Sequence, residues 1–305
     1  MQGGGYRFAA IDVGSNAMRL LLARVWETAT GPIFKKESLV RFPVRLGDDA
    51  FLRGVISAEK SRQLLLALSG FRTLMEAYRP IAYRAVATSA MREADNGAAL
   101  VEQARERCGV ELEIIPGPEE AGILYANHFE RSLAADGTYL YVDVGGGSTE
   151  LTLFHQGAIR ASASFDIGTV RLLDGVVPVG RWQEMRSWLE EATRDCPEAT
   201  AIGSGGNINK IFQLARRKPG KSLSFKRITA VYQQLSAMTL EQRMRDLGLR
   251  PDRADVIVPA AEIYLAVLRW AGVRRMHVPQ IGLSDGLVHQ LYETHRGVAD
   301  GSAVA

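Results

Sequence analysis

YLYVDVGGGSTE, Tyr139 to Glu150, is the stretch whose reading decides the fold. Tyr139 to Val142 are aromatic or aliphatic and suit a buried strand. Gly145, Gly146 and Gly147 carry no Cβ, so the backbone can approach a ligand closely while its N–H groups converge on an anion. Asp143 at the strand end and Glu150, past the hydroxyls of Ser148 and Thr149, place two carboxylates around the turn. That arrangement suits a hydrated divalent cation beside phosphate. A three-glycine run alone is most often a plain hairpin turn, so the stretch needs support from elsewhere in the chain.

Support comes from a second copy. FAAIDVGSNAMRLLL, Phe8 to Leu22, repeats the layout: an apolar strand, Asp12, Val13, Gly14, the small polar pair Ser15 and Asn16, then another apolar strand. Asp-Val-Gly thus occurs at Asp12 and at Asp143, each time after a hydrophobic run and before a hydroxyl residue. Two related halves serving one phosphate site is the simplest explanation.

These loops resemble those of the actin, sugar-kinase and heat-shock-chaperone superfamily. The wording of the chain is similar to the exopolyphosphatase and guanosine pentaphosphate phosphohydrolase family within it. The resemblance rests on AIDVGSNAMRL from Ala10, ATSAMREA from Ala87, PGPEEAGILY from Pro116, VDVGGGSTEL from Val142 and IGSGGNINKI from Ile202, with GLSDGL from Gly282. It implies an α/β fold of two duplicated actin-like (ribonuclease H-like) domains with an interdomain cleft. The expected domains are 1–128, joined by a C-terminal helix over 284–295, and 129–305. Longer family members continue into a helical region with a His-Asp motif, so this chain reads as a short, two-domain form without that part of the substrate path.

The resemblance also implies roles. Ser15, Asn16, Gly145, Gly146, Gly147 and Ser148 would hold phosphates, with Gly205 in a second glycine turn. Arg92 in ATSAMREA would neutralise phosphoryl charge with its guanidinium fork. Asp143 and Glu150 would hold Mg²⁺ or another divalent cation, with Asp12 assisting. A water attacking phosphorus needs a carboxylate, and adjacent helical positions point about 100° apart, so only one of Glu119 and Glu120 can serve. The family motif selects Glu120. The implied activity is release of terminal orthophosphate from inorganic polyphosphate, with guanosine pentaphosphate, converted to the tetraphosphate, as a further substrate. A phosphotransferase and a non-enzymatic guanosine tetraphosphate sensor are the alternatives, and a homodimer is the assembly the resemblance suggests.

Along the chain, a third strand is expected over Ser38 to Leu46. A helix capped by Ser57 should bury Leu64, Leu65, Leu68, Phe71, Leu74, Met75 and Tyr78. Ile81 to Thr88 and Val110 to Ile115 read as strands around a helix from Asp95 to Arg107. Another helix is expected from Glu119 to about Leu133, with a hinge over Asn127 to Gly137. Gln156-Gly157 marks a turn between the strands ending at His155 and starting at Ala158. Thr200 to Gly206 reads as a strand entering a glycine turn. Helices at 181–195, 227–238, 239–247 and 252–271, a strand over Arg274 to Ile281, a helix from Ser284 to Tyr292 and a disordered tail from Arg296 complete the reading.

With 305 residues, 47% hydrophobic and 23% charged, the chain is long enough for two cores. Cys108 and Cys196 lack metal-ligand spacing and are expected as reduced thiols in a cytoplasmic protein. No apolar run reaches the roughly 18 residues of a membrane span. Gly203 and Gly205 do not complete a dinucleotide fingerprint, because its third glycine would fall at Ile208. Gly220-Lys221-Ser222 lacks the upstream glycine of a phosphate-binding P-loop. RRKPGKSLSFKR, Arg216 to Arg227, holds six basic residues and no acidic one. Residue by residue it reads as a solvated loop, and as a cluster it can attract a long polyanion. Nucleic acid is not the expected partner, since Phe225 is the run's lone aromatic.

Overall fold

The computed structural model describes residues 5–127, 137–156, 158–196, 198–218 and 220–299. It contains two compact units. The first takes the chain up to Pro116, then Gly122–Asn127 and the stretch from Leu283; the second takes Gly117–Ala121 and the stretch up to Gly282. The boundary expected at 128/129 lies outside the described residues, as do the part of the expected hinge from 128 to 136 and Gly157 of the expected turn.

The first unit runs β1 (Tyr6–Val13), β2 (Met18–Thr28), β3 (Gly31–Phe42), α1 (Leu46–Arg53), α2 (Ala58–Tyr78), β4 (Ala82–Ala87), α3 (Ser89–Glu93), α4 (Gly97–Cys108) and β5 (Leu112–Ile114). α5 (Gly117–Tyr125) follows, its first turn counted with the second unit. The second unit continues β6 (Thr138–Val144), β7 (Thr149–His155), β8 (Ala158–Phe165), α6 (Thr169–Leu173), α7 (Arg181–Ala192), β9 (Thr200–Ser204) and α8 (Gly205–Leu214). It ends with β10 (Leu223–Ser224), α9 (Phe225–Ser236), α10 (Leu240–Leu247), α11 (Pro251–Ala254), α12 (Ile257–Trp270) and β11 (Arg275–His277). α13 (Leu283–Ala299) returns to the first unit, where it lies on β1, β2 and β4.

The first sheet has the order β3-β2-β1-β4-β5, the second β8-β7-β6-β9-β11-β10. In each, three strands form an antiparallel meander, and the next two run parallel to the first strand of that meander. This is the duplicated actin-like α/β order. It puts the hairpin turns after β1 and β6 at the strand ends where α/β sheets present ligand loops. The buried strand cores Phe8 to Ile11 and Leu140 to Val142 fix each sheet within its own unit.

Several elements differ from expectation for local reasons. β3 covers 31–42 rather than 38–46, and Leu46 begins α1; β3 is an edge strand, mostly exposed, so its alternation is weak. α2 begins after Ser57, whose hydroxyl accepts from Lys60 N–H, but Leu74 is 41% exposed because Met75 takes the core position. The glycine turn expected after β9 is absent, since Ser204 passes directly into α8. The helix expected over 252–271 is broken into α11 and α12 where the Asp255 carboxylate accepts from Val256 N–H (2.7 Å). α13 extends through Arg296 to Ala299, where a disordered tail was expected.

Candidate active site

The β6–β7 ladder sets Asp143 opposite Glu150, and the β7–β8 ladder sets Glu150 opposite Ser164. Ser204 of β9 stands beside Asp143, so a polar row crosses four strands at the loop end of the sheet. Ser164 Oγ donates to Glu150 Oε1 (2.9 Å). From the first turn of α5, Glu120 adds a third carboxylate: oxygens of Glu120, Asp143 and Glu150 lie within 4.8 Å of one another. Glu120 is buried and Glu119 half-buried, as helical geometry requires of adjacent positions. α5 reaches this row because residue 117 is glycine; a Cβ there would come within 2.9 Å of the Ser164 side chain.

The glycine loop is gripped from behind. Gly145 N–H closes the turn on Ser148 O (2.9 Å), and the first-turn amides of α6 then take its carbonyls: Thr169 N–H donates to Gly145 O (3.0 Å) and Val170 N–H to Gly146 O (2.9 Å). Arg171, buried, donates Nε–H to Gly147 O (2.7 Å). In a trans peptide the N–H points opposite the C=O of the same unit. Three carbonyls drawn toward α6 therefore turn the N–H groups of Gly146, Gly147 and Ser148 the other way, as an anion cradle requires. Gly145 N–H, expected to contact phosphate, is used by the turn itself.

Gly205 lies in the first turn of a helix, not in a separate glycine turn. It opens α8 at φ +86°, its N–H donates to Ile281 O (3.0 Å), and a Cβ there would lie 2.6 Å from Asp143 Oδ1. Glycine is required by both constraints. Next to it, Asn207 Nδ2 donates to Val144 O (3.3 Å), and Arg253 Nη1 donates to Asn207 Oδ1. Burial, and then the Asp143 carboxylate, raise the Tyr264 phenol well above its ordinary range, so it stays protonated and donates to Ser204 O (3.1 Å).

In the first unit the same backbone turn recurs, Gly14 N–H donating to Ala17 O (3.2 Å), with a different charge pattern. The position opposite Asp12 is Arg19, and the two form a salt bridge of 2.5 Å. Asp12 thus has a built-in countercharge where Asp143 faces another carboxylate. Ser15 is buried and shares a hydrogen bond with Ser89 Oγ (2.9 Å), and Asn16 is half-buried with its carbonyl accepting from Arg45 N–H (3.2 Å). Arg92, expected just beyond a strand end, sits on α3 and donates Nη1–H to Ile115 O (2.7 Å).

Ser164, Arg171 and Arg253 were not singled out from sequence. The available signals are a hydroxyl on β8 two residues from Ser162, the Ile167-Gly168-Thr169 stretch that leads into α6, and an arginine two residues after Pro251.

Three carboxylates, two of them buried, repel one another unless protons or a cation compensate. Their hard oxygen donors fit a divalent cation such as Mg²⁺. A cluster of three carboxylates in the same unit as a clamped glycine loop fits a phosphoryl-handling enzyme of the duplicated actin-like fold. The chain belongs to the Ppx/GppA phosphatase family, whose model matches residues 38–295. It is 30% identical to exopolyphosphatase 2 of Mycobacterium tuberculosis, over 93% of this chain and 98% of that one. It is 26% identical to a guanosine-5'-triphosphate,3'-diphosphate pyrophosphatase of Aeromonas hydrophila, over 93% of this chain and 59% of that one. The structure is similar to an exopolyphosphatase from Cytophaga hutchinsonii, with TM-score 0.81, 24% identity and coverage of 94% and 98%. Membership of this family does not favour the phosphotransferase alternative. Among the described residues no helix is long and apolar enough to cross a membrane.

Proposed function

We propose that the chain releases orthophosphate from the end of linear inorganic polyphosphate, and that guanosine pentaphosphate is a second substrate. The observation that carries this reading is the acidic cluster of Glu120, Asp143 and Glu150 in the same unit as the clamped glycine loop. The N–H groups of Gly146, Gly147 and Ser148 hold the terminal phosphoryl oxygens, and the α6 clamp keeps them oriented before substrate arrives. Glu120 accepts the proton of the attacking water, which adds to the terminal phosphorus as the bridging P–O bond breaks and the shortened chain departs as an anion. Asp143 and Glu150 would hold a divalent cation, which when bound supplies charge neutralisation of the phosphoryl oxygens. Ser164 orients Glu150 for that task. Ser15, Asn16 and Arg92 remain donors to phosphoryl oxygens in this reading, and Asp12, already neutralised by Arg19, positions Arg19 rather than a cation.

Orthophosphate release from polyphosphate, guanosine pentaphosphate and ATP, with and without Mg²⁺, tests the reading. Magnesium-dependent release from polyphosphate is expected. Tight guanosine tetraphosphate binding with no release from any of the three would replace the hydrolase with a sensor.

A further inference from the structure

The basic run from Arg216 to Arg227 has no part in the site above, and the fold concentrates it. Arg216, Lys218, Lys221, Lys226 and Arg227 are exposed, while half-buried Arg217 ties the run together with Nε–H on Ser222 O (3.2 Å). β10 pairs with β11 so that Ser224 stands opposite Arg275, and Phe225 N–H donates to Arg274 O (3.0 Å). Exposed Arg274 and Arg275 therefore extend the run across the strand boundary. None of these eight cations enters a salt bridge among the described residues. With the eight set aside, 29 basic residues face 34 acidic ones, so the chain's net +3 is owed to this patch on an otherwise acidic body.

Its position matters. Met276 is level with Ala201, and Ala201 with Leu140, so Arg275 lies level with Tyr139 at the end of the sheet opposite the glycine loop. Tyr139 to Gly145 along β6 is about 20 Å at ~3.3 Å per residue. A short phosphate chain held at the loop cannot reach the patch; a long one can.

We propose that this patch is an exosite for the body of a long polyphosphate chain, an inference that rests on the hydrolase reading above. A linear polyanion that lays several charges on the patch releases condensed counterions, and the tethered chain then presents its end to the loop at raised effective concentration. Polyphosphate fits better than single-stranded nucleic acid, because the one aromatic of the run, Phe225, is half-buried against the core and offers no stacking platform.

The test uses the full chain carrying Lys218→Gln, Lys221→Gln, Arg227→Gln and Arg275→Gln, all exposed and none in the catalytic machinery. Binding of labelled polyphosphate several hundred units long is measured across a salt series, beside orthophosphate release from that polymer and from tripolyphosphate. The quadruple variant should bind the long chain at least tenfold more weakly. The slope of log affinity against log salt should flatten by about 0.7 per lost contact, roughly 3 in all. Turnover of tripolyphosphate should be unchanged. Unchanged long-chain affinity overturns the exosite, as does wild-type preference for single-stranded DNA of equal charge. If the wild-type chain releases no phosphate from either substrate, the hydrolase reading fails while the binding series still decides the patch.

Discussion

Arg171 Nε donates to the Gly147 carbonyl across 2.7 Å, from a side chain that is 6% exposed. A buried guanidinium thus holds the back of the loop whose front is proposed to receive the anion. A hydrogen bond to a charged donor contributes about 1.5–3 kcal/mol. Arg171→Met should raise KM for polyphosphate about tenfold, with Arg171→Lys recovering part of it, both read in steady-state kinetics. A lowered melting temperature with KM unchanged would reduce Arg171 to a packing role.

Gly205→Ala meets two penalties, a left-handed φ and a Cβ 2.6 Å from the Asp143 carboxylate. The strain should cost about 1–3 kcal/mol. Mg²⁺ affinity measured by calorimetry should fall with it, because Asp143 must move. Magnesium binding at wild-type strength would show that Asp143 is not a ligand.

Removing one charge from the acidic cluster should separate repulsion from metal binding. In chelator, Glu150→Gln should melt at or above the wild-type temperature, since one like-charge contact is gone while a side-chain oxygen remains for Ser164. Wild type should gain about 2.7 kcal/mol from Mg²⁺ at a hundredfold excess over Kd, and the variant much less. Equal magnesium stabilisation of the two proteins argues against cation binding at this cluster.

Gly117→Ala would press the first turn of α5 away from Ser164 and carry Glu120 with it. Turnover should drop at least tenfold, with binding of a long polyphosphate chain retained. Glu120→Gln should give the same pattern with a larger loss. Undiminished phosphate release from Glu120→Gln rejects Glu120 as the base.

Much of this molecule is legible from residue order alone. The two Asp-Val-Gly hairpins announce both sheets because each strand is a continuous apolar run ending in a glycine turn, and Ser57 caps α2 where its periodicity begins. The short α1 escapes notice: its preceding residue Arg45 is left-handed, with no side-chain cap, and two of its four buried positions are Gly47 and Asp49. In the candidate site the cluster residues can be picked out because they sit inside motifs. The clamp cannot, since Arg171 acts through a backbone carbonyl 24 positions earlier and any sequence can supply a carbonyl. Ser164 likewise becomes meaningful only once the β7–β8 register is fixed.

The two hairpins share one turn and differ in what stands across from the aspartate. The first carries its own counterion, Arg19, within the polypeptide. The second sets a like charge, Glu150, in that place, so under the proposed reading one turn serves as an internally neutralised strut in one unit and as a cation-dependent element in the other.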